Sequence, residues 1–331
     1  MPEVQARYYE VMNHHIVCGL CPHHCRLKPG QAGICRVRVN HDNCLFTLNY
    51  GEITSLAIDP VEKKPLYHFF PGKKILSVGT FGCNLKCGFC QNYTLAHGNP
   101  PSQTVNPDLL AHIAEEAGKH GSIGVAFTYN EPSIWFEYVM DAAAPLRQNH
   151  QKIVLVTNGF IEKRPLQELL EVVDAFNIDI KANTPHFYKK YCQGQLAPVK
   201  KSVEIAAARA HVEVTNLIIP GQNDKMEEIG ELAKWLASLN PNIPLHLSRY
   251  YPAYKYSLES TPEDTMHNAF KTAREYLNCV YLGNMTAANN TFCNRCNNLL
   301  IERNYYNTEF TGMQGNQCRQ CGAKIDYIIN R

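Results

Sequence analysis

The 331-residue chain carries almost no excess charge of either sign: 32 Lys and Arg against 30 Asp and Glu give a formal net charge of +2. Binding nucleic acid calls for a strongly basic face, so no nucleic-acid partner is expected. No apolar run approaches the roughly twenty residues needed to cross a bilayer. The stretch Met1 to Met12 mixes charges with tyrosines and lacks the apolar core of a signal peptide. These absences predict no membrane association and a cytoplasmic location. Nothing resembles a flavin or nicotinamide site either. What remains is globular in composition, 45% hydrophobic and 19% charged. It is long enough for one large α/β domain with appendages.

The chain is rich in cysteine, with fourteen. Thiols stay free in a reducing compartment, so clustered cysteines there read as metal sites rather than disulfides. Eleven fall into three groups: Cys18, Cys21, Cys25 and Cys35; Cys83, Cys87 and Cys90; Cys293, Cys296, Cys318 and Cys321. The other three, Cys44, Cys192 and Cys279, read as small buried hydrophobes.

The middle group is the most informative. It lies in Gly79-Thr-Phe-Gly-Cys83-Asn-Leu-Lys-Cys87-Gly-Phe-Cys90-Gln-Asn92, directly after the apolar run Lys74 to Val78. A cubane iron–sulfur cluster normally takes four thiolates, and this loop offers three, which leaves one iron open to a small ligand. A partial zinc knuckle or a redox pair with a bystander are the plain alternatives. Zinc half-sites, however, usually come as Cys-x-x-Cys pairs. With Phe89 before the third cysteine and Asn84 after the first, Cys83 to Asn92 resembles the signature of the radical S-adenosylmethionine (radical SAM) superfamily, nearest its glycyl-radical activating branch. The resemblance implies a [4Fe–4S] cluster on Cys83, Cys87 and Cys90. It also implies an open iron that binds the amino and carboxylate groups of S-adenosylmethionine, and one-electron cleavage to a 5′-deoxyadenosyl radical.

Beyond Gly72 short β-rich runs alternate with helical segments. The runs are Ile75 to Val78, Ile123 to Thr128, Ile153 to Thr157, Ala175 to Ile180, Val212 to Ile219 and Leu245 to Ser248. The helices are Asp108 to Lys119, Ile134 to Gln148, Leu166 to Val173, Ser202 to Ala210, Lys225 to Leu239 and Glu263 to Leu277. This alternation predicts a parallel sheet with right-handed crossovers. Both a barrel and an open doubly wound sheet satisfy it, and the resemblance selects a partial (β/α)6 TIM-like barrel. In such a barrel ligands gather at the C-terminal strand ends. There the chain places Thr128-Tyr-Asn-Glu131-Pro132, Thr157-Asn158-Gly159, Asp179-Ile-Lys181, Pro220-Gly-Gln-Asn-Asp224 and His246. Singly these read as turns and caps; together they make a polar rim.

The resemblance gives the rim roles around S-adenosylmethionine. Asn92 matches an asparagine that contacts the cofactor, and Asn130-Glu131 stands where activating enzymes carry a Gly-Gly-Glu that receives the methionine amino group. Asp179 and Lys181 match an Asp-x-Lys at the carboxylate end, His246 matches a histidine near the nucleoside, and Asn158 joins this set. Lys181 also has a physical logic, since an unpaired carboxylate in a partly buried cleft is costly; an ordinary strand-end salt bridge is the alternative. Val156 replaces an aspartate that those enzymes commonly carry before Thr-Asn-Gly.

Three divisions are expected: a cysteine-rich segment 1–72, the radical SAM region 73–285, and a zinc-ribbon-like module 286–331. In the first, Cys18, Cys21, Cys25 and Cys35 sit among Gly and Pro and could close a tetrathiolate site, with His14, His15, His23 and His24 as substitutes. Zinc, an auxiliary cluster and no metal all remain open. Leu45 to Ile58 reads as two short strands joined at Tyr50-Gly51. Asp59 to Gly72 reads as an ordered crossing in which Lys63, Lys64 and His68 line the substrate opening or form a surface pair beside a packed aromatic. In the third, Cys293-x-x-Cys296 and Cys318-x-x-Cys321 predict bound zinc. With Glu62-Lys-Lys-Pro-Leu-Tyr-His68 and Tyr129-Asn-Glu-Pro132 the whole chain resembles the radical SAM member of the AmmeMemoRadiSam system, described as pyruvate formate-lyase activating enzyme-like. The expected activity is hydrogen abstraction from a partner glycyl-radical protein, with electrons from reduced flavodoxin or ferredoxin. A small-molecule substrate handled with AmmeMemoRadiSam partner proteins is one alternative; a non-enzymatic zinc scaffold is another.

Overall fold

A computed structural model describes residues 4–13 and 15–330; His14, a candidate ligand above, lies outside them. The centre is an eight-stranded sheet whose strands follow the chain in strict order. They are β1 (Ser55–Pro60), β2 (Lys74–Gly79), β3 (Ser122–Phe127), β4 (Lys152–Thr157), β5 (Ala175–Asp179), β6 (His211–Ile218), β7 (Leu245–Arg249) and β8 (Val280–Gly283). The last seven run parallel; β1 pairs antiparallel with β2. A doubly wound sheet reverses its strand order, and this one never does. Six helices bridge the parallel strands: α1 (Pro107–Gly118), α2 (Phe136–Gln148), α3 (Lys163–Leu169), α4 (Leu196–Ala207), α5 (Met226–Leu239) and α6 (Glu263–Arg274). Right-handed crossovers that always step the same way put all six on one face.

Local chemistry explains the boundaries. Asn106 caps α1 by accepting the Leu109 amide at 2.8 Å, and Pro107 follows at the first helical position. Helix α4 begins six residues before its expected start because Pro198 stands in its first turn, where a missing N–H costs nothing.

The opposite face is where function is positioned. Strand register puts Ser77, Ala126, Val154 and Ala175 in neighbouring rows, and Val61, Leu66 and Phe69 pack onto this floor. The segment from Val61 to Phe70 is therefore a plug beneath the sheet's inner face. Buried Glu213 of β6 accepts the amides of Tyr67 (2.9 Å) and His68 (2.7 Å), and Asn177 of β5 donates to the Pro65 carbonyl at 2.8 Å. His68 is accordingly fully buried against the Tyr281 hydroxyl (2.6 Å), not at an opening, while Lys63 is exposed.

Two smaller parts flank the sheet. In the N-terminal part Arg38–His41 and Cys44–Thr47 form a hairpin, with Val4–Gln5 on its edge. The two strands expected between Leu45 and Ile58 exist but do not pair with each other: Cys44–Thr47 stays in this hairpin and Ser55–Pro60 leaves as β1. Residues 291–310 form a three-stranded sheet that covers the plug. Arg303 drives this contact, donating to the Tyr67 carbonyl at 2.7 Å with its guanidinium 4.7 Å over the Tyr67 ring. Of the three unclustered cysteines, Cys192 and Cys279 are buried and Cys44 is half-buried. Among the described residues no helix is long and apolar enough to cross a membrane.

Candidate active site

At the C-terminal ends of the strands lies a chamber of about 370 Å³. The loop after β2 forms one wall. Gly82 there has φ +89°, and a Cβ would approach the Cys35 carbonyl to 2.7 Å, so glycine is required for the turn. Asn130, after the adjacent strand β3, holds the loop directly: its Oδ1 accepts the Thr80 amide (3.1 Å) and its Nδ2 donates to the Gly82 carbonyl (3.0 Å). Asn84 holds the next turn, donating to the Phe160 carbonyl (2.7 Å) and accepting from Asn158 (2.9 Å). The chain thus fixes a cysteine loop with amide side chains from its neighbouring strand ends.

Cys83, Cys87 and Cys90 all face this chamber, together with Asn92, Glu131, Asn158, Asp179 and Lys181. Asn158 Nδ2 reaches within 3.7 Å of Cys83 Sγ, and the Leu85 amide donates to the same sulfur at 3.4 Å. Burial pushes the Cys90 thiol up to about 11, so the bare thiol is protonated at neutral pH. Metal binding would have to displace that proton.

The polar groups are already organised. Buried Glu131 accepts the Ser133 amide (2.9 Å), the Thr157 hydroxyl (2.6 Å) and the Asn158 amide (2.7 Å), and burial raises its pKa. Its carboxylate therefore fixes the strand-end turn that carries Asn158. Lys181 donates to Asp179 at 2.8 Å; against the pull of burial, the charge of Asp179 keeps it protonated. Burial, then the charges of Lys86, Arg36 and Lys255, hold His97 down at about 4, so this chamber-wall imidazole is neutral.

His246 is placed differently. It lies in an adjoining chamber of about 380 Å³, hydrogen-bonded to Glu213 at 2.6 Å and edge-on to Tyr67. Burial opposes the Glu213 charge, yet the bonds from His211 and His246 hold its pKa well below the ordinary range. Lys63, Lys64, Tyr129, Ser248 and Asn284 line both chambers. Glu213 and this second space were absent from the sequence reading. A charged residue at alternate positions of an otherwise apolar strand, His-Val-Glu-Val-Thr, was the available signal. Lys64 is buried on Asp59 (2.9 Å) and 4.6 Å over the Tyr129 ring, whose hydroxyl also donates to Asp59.

The third cysteine group lies elsewhere. Cys293, Cys296, Cys318 and Cys321 have all four sulfurs within 4.8 Å of one another, with Cys293 to Cys321 at 3.7 Å and Cys296 to Cys318 at 3.6 Å. This arrangement could hold one metal ion.

Residues 77–236 match the Radical SAM superfamily. An uncharacterized protein of Methanocaldococcus jannaschii, MJ0808, is 39% identical over 98% of this chain and 99% of its own. From the same organism MJ1632, provisionally named a glycyl-radical enzyme activating enzyme, is 26% identical over 61% of this chain and 77% of its own. Among solved structures, Streptococcus suis SuiB bound to S-adenosylmethionine superposes with a TM-score of 0.51 at 13% identity, over 65% of this chain and 49% of that one, a likeness of fold alone.

Proposed function

Because residues 77–236 match the Radical SAM superfamily and the chain shares a full-length family with MJ0808, we propose that it is a radical SAM enzyme of the glycyl-radical activating kind, built on a partial (β/α)6 barrel. Cys83, Cys87 and Cys90 would hold a [4Fe–4S] cluster. The observation that carries this reading is the set of thiols at the chamber: among the described residues Cys83, Cys87 and Cys90 line it, while Cys192, fully buried beside Cys87, does not. That donor set fits a cluster with one open iron and does not close a tetrathiolate site.

When bound, the cluster and S-adenosylmethionine supply reductive cleavage to a 5′-deoxyadenosyl radical, which takes hydrogen from the substrate. The chain's own part is placement and exclusion of water. Lys181 offers its ammonium to the methionine carboxylate, and Asp179 keeps that ammonium oriented. Asn92 and Asn158 offer amide donors on either side of the cysteine loop, and Glu131 fixes the turn under Asn158. His246 faces the adjoining chamber, so it would meet the nucleoside or substrate end.

The substrate is proposed to be a glycyl-radical protein, by likeness to MJ1632; reduced flavodoxin or ferredoxin would donate the electron. Membership of an AmmeMemoRadiSam system is a further proposal, from the motifs around Glu62 and Tyr129. The C-terminal thiols would hold zinc: a tetrahedral ion with bonds of about 2.3 Å sets its sulfurs about 3.8 Å apart, close to the spacings seen. The test is electron paramagnetic resonance on anaerobically reconstituted, dithionite-reduced protein. The reading predicts a cluster signal that changes when S-adenosylmethionine is added. An unchanged signal with iron and sulfide intact would overturn it.

A further inference from the structure

The N-terminal cysteines do not touch the chamber, and their sulfurs are not drawn together as tightly as the C-terminal four, yet they share one cavity. Cys18, Cys21, Cys25 and Cys35 line one small enclosed cavity with His23 and Arg38.

Two further observations point to an anionic centre. Arg38 is 1% exposed and lines the cavity, and its Nε has no hydrogen-bond partner among the described residues. Its Nη1 pairs with buried Glu137 at 3.1 Å and its Nη2 donates to the Arg7 carbonyl. A guanidinium this deep, with one donor still free, suits a neighbour of net negative charge. Gly33 brings bare backbone against the sulfurs: a Cβ there would lie 3.5 Å from Cys25 Sγ and 3.6 Å from Cys35 Sγ.

The cavity is also tied to the chamber loop. His23 Nε2 bonds the Asn84 carbonyl at 2.7 Å, with its ring edge-on to Phe160 at 5.0 Å. Asn84 in turn holds Phe160 and Asn158, the residue beside Cys83. We infer that Cys18, Cys21, Cys25 and Cys35 bind a thiolate-ligated metal centre, and that this centre braces the Cys83 loop through His23. Zinc and an iron–sulfur cluster share this ligand chemistry. The metal claim stands without the radical SAM reading; the brace rests on it.

The test uses the full chain carrying Cys83→Ala, Cys87→Ala and Cys90→Ala, purified without oxygen, with zinc, iron and sulfide measured per chain. It should hold metal beyond what the C-terminal thiols bind, and Cys25→Ser added to it should remove that excess. Cys25 is the half-buried member of the set, so it is the mildest change. Loss of zinc identifies an ion, and loss of iron with sulfide identifies a cluster; either supports the inference. Identical metal content with and without Cys25→Ser overturns it, whatever becomes of the radical chemistry. His23→Ala in the otherwise native chain should keep the N-terminal metal but weaken S-adenosylmethionine binding severalfold; unchanged binding overturns the brace.

Discussion

The C-terminal cysteine group and the loop after β2 use the same side chain to opposite ends. Cys293, Cys296, Cys318 and Cys321 bring four sulfurs within 4.8 Å of one another, in a small module with a core of its own. Cys83, Cys87 and Cys90 bring three to the wall of an open chamber ringed by Asn, Asp and Lys. A closed tetrathiolate set saturates its metal and serves stability, whereas an open one leaves a coordination position for chemistry. Ligand count and access, not cysteine content, separate the two.

The comparison breaks most visibly on the closed side. Cys318→Ser should strip the C-terminal metal and melt the module from residue 291 onward, because so small a unit depends on metal for most of its folding free energy. Metal analysis and hydrogen exchange would show this, and S-adenosylmethionine cleavage should persist. Loss of cleavage in step with the metal would merge the two regions.

The plug between them gives the next effect. Burial holds His68 down at about 3, so protonation favours the unfolded chain, where histidine titrates near 6.5. The stability from keeping this ring neutral is fully present above about pH 6.5 and is lost as pH falls toward 3. The slope is about 1.4 kcal/mol per pH unit at most. Chemical denaturation at several pH values should show it, and His68→Gln should flatten the curve.

On the open side, Lys181→Met should leave folding intact and weaken S-adenosylmethionine binding about tenfold, the roughly 1.5 kcal/mol of one charge-assisted hydrogen bond. Calorimetry checks this, and unchanged affinity would reduce Lys181 to a strand-end ion pair. Smallest of all, Cys44→Ser should alter neither metal content nor stability by more than about 0.5 kcal/mol, since half-buried Cys44 belongs to no cysteine group.

Much of this was legible in the chain. Alternating β-rich and helical periods placed six of the parallel strands and all six helices, and cysteine spacing marked the three groups. What escaped was whatever depends on who pairs with whom. The Ser55–Pro60 run reads as a hairpin partner of its neighbour, but its place on β2 is a tertiary choice that periodicity does not encode. Val280–Gly283 is too short to stand out, and becomes a strand only because β7 offers an open edge. His68 looks like an accessible polar residue beside two lysines. Its burial comes from Glu213, 145 positions away, which takes up its amide. The chamber's cysteines were visible because they are close in sequence, while the Glu213 network was not because its members come from β6, β7 and the plug.

The most direct test is 5′-deoxyadenosine formation. The anaerobically reconstituted, dithionite-reduced protein should form it from S-adenosylmethionine, and Cys87→Ala, with the C-terminal metal still bound, should form none. Equal formation by both, or none by the wild type with iron and sulfide intact and a glycyl-radical protein supplied, would contradict the assignment of the open cysteine loop.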